Sequence, residues 1–224
     1  MRKCWVIPPE QDGAFVANME DVLEVYHRPR DPARPLVCMD EQPTQLFKET
    51  RRPIPLMPGQ APRHDYEYER NGVAVNFMFT APLENWRRVN VRETKKKMDW
   101  AEEIRQLVDE DFPHAEKIVL VMDNLNTHTP GAFYDAFAPQ EARRIIERLE
   151  IHYTPKHGSW LNMAEIELSV LTKQCLNRRI PDLPTLREEV RNWNEQRNAS
   201  KKGIDWQFTT EKARIKLKRL YPQF

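Results

Sequence analysis

The chain has 224 residues, 31% of them charged and 40% apolar, and a formal net charge of +1. That length supports one substantial core plus an appendage, and with no run of about 18 apolar residues a membrane-spanning helix is excluded. The start, Met1-Arg2-Lys3-Cys4-Trp5, lacks the apolar segment of a secretory signal, so the cytoplasm is the expected location.

Pro9-Glu10 opens a predicted helix over 9–27, with Phe15, Val16, Met19, Val22, Leu23 and Tyr26 at helical spacing. Pro29, Pro32 and Pro35 then make an extended linker. Strands are expected at 36–40 and 44–49, followed by a proline-rich loop. Alternation on both sides of Asn71-Gly72 predicts a hairpin within 66–79, closed by Pro82. Thr94 is expected to cap a helix to about Glu110, with Met98, Ala101, Ile104, Leu107 and Val108 facing inward. Ile118 to Met122 is short, unbroken and rich in β-branched residues, the pattern of a fully buried strand. Residues 130–149 read as helix in one or two pieces around Pro139, 150–154 as a strand, and 155–159 as a loop. Helices follow at 161–177, from Pro184 to about Asn198, and from Thr210 to Leu220.

This order fits an α/β fold: a mixed sheet covered by helices, antiparallel strands first and helix crossovers after, which is the ribonuclease H-like order. It divides the chain into an N-terminal helix and linker (1–34), a main domain (35–198) and a basic tail (199–224). From Arg197 onward eight basic residues stand against two acids, so this end carries net +6 and the rest −5. An acidic body with a basic tail suits a metal-binding centre that also holds a polyanion; the plainer reading is a solvated helical surface. The cysteines Cys4, Cys38 and Cys175 are far apart and form neither a zinc pattern nor a disulfide framework. Cys38 reads as a small buried apolar residue.

Two of the expected strands end on acids. Asp40, with Glu41 beside it, follows Leu36 to Met39, and Asp123 follows Ile118 to Met122. The carboxyl end of a buried strand is where open α/β sheets place ligands. A third carboxylate comes from helix 161–177. On a helical wheel Leu161, Ala164, Leu168, Leu171 and Cys175 define its buried face. Glu165 and Glu167 flank that face by roughly 80° on opposite sides, so helical geometry does not choose between them. Three carboxylates can hold two magnesium ions, because each ion needs only one or two and keeps several waters; such a pair serves phosphodiester displacement. Against this, Asp123 also suits capping the next turn, and Asp40 or Glu41 a solvated loop. His128, His152 and His157 lack a metal-ligand spacing.

Three blocks resemble the catalytic motifs of DDE transposases of the mariner-like superfamily, on its bacterial insertion-sequence branch (IS-six-thirty type). They are Cys38-Met39-Asp40-Glu41, Met122-Asp123-Asn124-Leu125-Asn126-Thr127-His128, and His157-Gly158-Ser159-Trp160-Leu161-Asn162-Met163-Ala164-Glu165. The family pattern Leu-Asn-x-x-Glu matches Leu161 to Glu165, and so favours Glu165 over Glu167. The resemblance implies that Asp40, Asp123 and Glu165 hold two Mg2+ ions, with Mn2+ able to substitute. It implies cleavage of double-stranded DNA at transposon ends, then joining of the freed 3′-hydroxyl to target DNA, with a homodimer assembled on the DNA. Asn124, Asn126, His128, His157, Trp160 and Asn162 belong to the blocks and are expected to support the acids or touch DNA. Trp160 suits stacking on a base and equally a place in the core. Lys201, Lys202, Lys212, Arg214, Lys216, Lys218 and Arg219 are the expected DNA-holding tail.

Full-length relatives carry a helix-turn-helix region ahead of this domain, and none precedes Met1 here. The expectation is a catalytic half, with end recognition missing or on a separate polypeptide. The rival readings are a nuclease without strand transfer, an inactive DNA-binding remnant, and, remotely, a two-carboxylate glycosidase.

Overall fold

The computed structural model describes residues 11–55, 57–61, 63 and 65–222. Its centre is a five-stranded sheet in the order β3-β2-β1-β4-β5. The strands are β1 (Leu36–Glu49), β2 (Tyr68–Ala81), β3 (Trp86–Arg92), β4 (Ile118–Met122) and β5 (Leu149–Tyr153). β1, β2 and β3 are antiparallel neighbours, whereas β4 runs parallel to both β1 and β5. This is the ribonuclease H-like arrangement expected from the element order.

Side chains along the strands alternate between two cores. Leu36, Cys38, Met78, Val119 and Val121 face one side, where they meet α1 (Gly13–Tyr26), α5 (Met163–Leu171), α6 (Leu183–Ala199) and α7 (Thr210–Lys216). Val37, Met39, Phe77, Phe79, Leu120 and Met122 face the other, under α2 (Lys97–Gln106), α3 (Gly131–Ala136) and α4 (Pro139–Glu147). The N-terminal helix and the tail therefore share one core with the middle of the chain: Ala213 and Leu220 are buried in it, and Trp206 and Phe208 pack against it.

Several elements differ from the sequence reading. The two early strands are one, β1, running through Pro43. Beyond Cys38 β1 keeps only β2 as a neighbour, and a strand with one open side is where a sheet tolerates proline. Asn71-Gly72 does not turn the chain. Gly72 has φ +87°, as the dipeptide foretold, but it forms a bulge: Gln45 pairs with Val73 and Phe47 with Arg70, leaving two residues of β2 opposite Leu46. The reversal lies earlier, between Glu49 and Tyr68. β3 was not expected at all. α2 is capped at Lys96 rather than Thr94, and Met98 is exposed while Trp100 is buried; it closes in a π-turn, Leu107–Asp111. Helix 161–177 is a 3-10 turn (Ser159–Leu161), then α5, then a π-turn (Thr172–Leu176). The basic helix breaks into α7 and a 3-10 turn, Lys218–Leu220. Pro9 and Glu10 lie outside the described residues, and α1 is capped by Asp12, whose Oδ1 accepts from Phe15 N at 2.9 Å. Cys38 is buried. Among the described residues no helix is long and apolar enough to cross a membrane.

Candidate active site

The β1–β4 ladder ends at the pair Cys38 and Val121. Asp40 and Asp123 each lie two residues further on, so both continue the parity of residues that face α5. Strand parity thus aims Asp40 at the helix that carries Glu165, and Asp123 follows directly on the end of β4. Asp40 sits within β1 and is anchored by hydrogen bonds. Its Oδ1 accepts from Glu41 N at 2.7 Å, and its Oδ2 accepts from Asn162 Nδ2 at 3.4 Å.

Asn162 joins two elements. It is the N-cap of α5, its Oδ1 accepting from Ala164 N at 3.1 Å, while its Nδ2 donates to the Met39 carbonyl at 2.7 Å. One buried side chain therefore pins the start of α5 to the strand bearing Asp40, three residues before Glu165. Tyr26 reinforces the junction by donating to the Leu161 carbonyl at 2.8 Å and accepting from Met163 N at 3.4 Å.

The two glutamates have different surroundings. Glu165 is exposed, in the first turn of α5, where the helix dipole favours a negative charge. It lines a cleft of about 420 Å³ together with Asp40, Glu41, Gln42, Thr172 and Lys173. Glu167 is fully buried and gripped by arginines: Arg197 Nη2 at 2.9 Å and Arg87 Nε at 3.3 Å. It is an internal counter-ion that ties α5 to β3 and α6.

Burial pushes the Asp40 carboxyl up to about 7; the Glu41 N–H opposes this, and the charges of Asp123, Glu165 and Glu41 add to it. Asp40 thus feels the charges of both other expected acids. Among the described residues no group of three or more His, Cys, Asp or Glu is gathered closely enough to hold a metal ion. The donor chemistry nevertheless fits a hard divalent cation. The cleft presents carboxylate oxygens, one of them on a buried group destabilised by neighbouring negative charge, and each such ion needs only one or two.

Glu41 is the residue that the sequence reading undervalued. It has the parity of Met39, not of Asp40, and its side chain is 3% exposed. Its Oε1 lies 2.9 Å from His128 Nε2, and His128 Nδ1 lies 2.7 Å from Asp123 Oδ1. The His128 ring stacks on Trp100 at 5.4 Å between centroids, and Tyr153 donates to the His128 carbonyl at 3.0 Å. Burial pulls the His128 pKa down, but the Asp123 and Glu41 carboxylates outweigh it and hold the imidazole at about 9. Strand parity carried through Pro43 was the available signal for Glu41.

The remaining expected residues scatter. Asn124 and Asn126 are exposed in the turn after β4, and His157 is exposed with φ +63°. Trp160 is half-buried, edge-on to Phe208 at 5.8 Å. Lys201, Lys202, Lys212, Arg214, Lys216, Lys218 and Arg219 are all exposed. Arg214 is already engaged by Glu20 through two 2.8 Å hydrogen bonds.

Comparison with curated proteins gave no sequence match. Among solved structures, the fold is similar to that of the Mos1 mariner paired-end complex with Mn: TM-score 0.53, 16% identity, 98% of this chain and 63% of that one. It is also similar to the Mos1 strand transfer complex (0.54, 13%, covering 92% and 67%) and the Mos1 paired-end complex with Mg (0.54, 15%, covering 92% and 68%). The chain therefore spans less than two thirds of the first of these. Residues 35–187, which hold all five strands and the three acids, match the family described as DDE superfamily endonuclease, and the chain belongs to that family.

Proposed function

We propose that this chain is the catalytic part of a transposase of the mariner-like superfamily, on the bacterial insertion-sequence branch, acting on double-stranded DNA in the cytoplasm. Asp40, Asp123 and Glu165 are its catalytic acids. The observation that carries the reading is that Glu165 lines the same cleft as Asp40, while the other glutamate of α5 is locked away among arginines.

Asp40 and Asp123 would hold Mg2+ from the strand ends and Glu165 from the helix, with Mn2+ able to substitute. Two such ions, when bound, supply charge stabilisation for the attacking and leaving oxygens of a phosphodiester displacement. The protein's own contribution is position. β1 fixes Asp40, Asn162 fixes the start of α5 against it, and the cleft beside Glu165 leaves room for a backbone phosphate. In the first reaction water attacks a phosphodiester at the transposon end, and the bond that breaks frees a 3′-hydroxyl. In the second that hydroxyl attacks a phosphodiester of target DNA, displacing one of its oxygens. Both are phosphoryl transfers, in which positioning and charge stabilisation supply most of the catalysis. The exposed lysines of the tail would hold the duplex non-specifically. Recognition of particular ends would fall to a helix-turn-helix unit on the same or a separate polypeptide, with two copies assembled on the DNA.

The test is nicking of supercoiled plasmid with Mn2+ by the wild-type chain, Asp123→Asn and Glu165→Gln. Nicking by the wild type that is lost in both variants supports the assignment. Equal nicking by all three refutes it. Joining of a pre-cut 3′-hydroxyl end to plasmid then separates a transposase from a plain nuclease.

A further inference from the structure

Asp123 is the first residue past β4, outside the ladder that fixes Val121. Something other than sheet pairing must set its carboxylate relative to Asp40. We infer that Glu41 and His128 are the positioning residues for Asp123, a strut from β1 across to the loop after β4. The inference rests on the metal-binding role proposed above for Asp123.

The strut begins on a rigid element. Glu41 lies in β1, paired with Phe77 of β2, immediately after Asp40. Its Oε1 is 2.9 Å from His128 Nε2, and the far nitrogen of the same ring, Nδ1, is 2.7 Å from Asp123 Oδ1. The ring therefore spans the two carboxylates, and its Nδ1 also lies 3.4 Å from the Asp123 carbonyl oxygen.

The ring itself has little freedom. His128 is 1% exposed and stacked on Trp100, which is fully buried beneath it. Its backbone is held at both ends, with its N–H donating to the Leu125 carbonyl at 2.9 Å and its carbonyl accepting from Tyr153 of β5 at 3.0 Å. The turn between Asp123 and His128 is thus closed on itself and bolted to two strands. Asp40 and the strut's foot are adjacent residues of one strand, so the separation of the two aspartates is set through Glu41 and His128. Polar partners that orient metal-ligating groups change metal affinity when removed, typically 10- to 100-fold. A histidine with a purely packing role would change stability and leave affinity untouched.

The experiment is titration of Mn2+ into the purified DNA-free chain, with free metal read by electron paramagnetic resonance, on samples shown to be folded by circular dichroism. The variants are His128→Ala, Glu41→Ala, Glu41→Gln, the His128→Ala/Glu41→Ala double variant and Asp123→Asn. The expected result is a loss of affinity of roughly 10-fold or more in each alanine variant. The double variant should lose little beyond either single one, as residues acting in one chain of contacts do. Glu41→Gln keeps an oxygen for the His128 ring and should retain most of the affinity. Wild-type affinity in Glu41→Ala, whether or not His128→Ala folds, overturns the strut if Asp123→Asn is impaired. Unimpaired binding by Asp123→Asn, or no binding by the wild type at millimolar metal, overturns the metal-site reading and the strut with it.

Discussion

Replacing Glu167 by Gln keeps the volume of the side chain and removes its charge. The partners left behind are severe hosts. The Arg87 side chain is fully buried and that of Arg197 is 13% exposed. Burial already pulls the Arg87 pKa down, and the Glu167 charge is what counters it. The other Arg87 contacts are neutral acceptors: the Lys202 carbonyl at 2.7 Å, the Arg197 carbonyl at 3.1 Å and Asn198 Oδ1 at 3.4 Å. Breaking a buried ion pair by removing one partner costs about 3–5 kcal/mol. For a chain of this size each kcal/mol moves Tm by about 2–4 °C, so Glu167→Gln should melt about 6–20 °C below the wild type. Glu165→Gln changes an exposed residue and should stay within about 0.5 kcal/mol. Thermal denaturation followed by circular dichroism, run beside the plasmid-nicking assay, reads both. The expected pattern is crossed: one variant unstable, the other stable and inactive. A Glu167→Gln protein as stable as wild type but unable to nick, with Glu165→Gln active, would refute the division of labour along α5.

Two further outcomes follow from charges away from the cleft. Burial raises the Glu150 pKa, but hydrogen bonds from Arg28, His152 and Arg34 outweigh it and hold the carboxyl at about 2, below its ordinary 4.5. A lowered folded-state pKa contributes stability that is present above about 4.5 and lost as the pH falls toward 2. The Tm gap between wild type and Glu150→Gln should therefore be widest near neutrality and close across that window; a gap independent of pH would refute it. In the tail, changing Lys216, Lys218 and Arg219 together to Gln should flatten the dependence of log K for duplex DNA on log salt by up to about 2.7, at about 0.9 per phosphate contact. An unchanged slope, measured by fluorescence anisotropy, would remove the tail from the DNA surface.

The sequence was most legible where burial and hydropathy agree. Ile118 to Met122 is apolar on both faces because it is covered on both, and strand β4 has those bounds. It was least legible where charge is buried. β3 reads Trp-Arg-Arg-Val-Asn-Val-Arg, which looks like a solvated segment. Its Arg87 turns to Glu167 on one face. Its Arg88 turns to Glu103 on the other, at 2.6 Å, and Glu103 is itself fully buried. Those partners are 80 and 15 residues away along the chain, beyond any local pattern. Asn71-Gly72 failed differently: the dipeptide correctly announced a left-handed backbone, but a hairpin turn and a bulge place the same demand on it.

The acids follow the same division. The placement of Asp40 was readable because period two fixes the face of a residue within a strand, whereas Asp123 lies one residue past β4, where pairing no longer holds it. Glu165 was not readable, since a helix wheel has no knowledge of what packs on either flank of its buried stripe. Only the arginines around Glu167 break that symmetry, and they come from β3 and α6. Glu41 lies between these cases. Reading strand β1 as ending at Asp40 made its neighbour a loop acid; continuing the same alternation through Pro43 turns it inward, toward Trp100 and His128. A carboxylate with that parity is withdrawn from water and needs a partner, and His128 stands 2.9 Å from it with its other ring nitrogen 2.7 Å from Asp123.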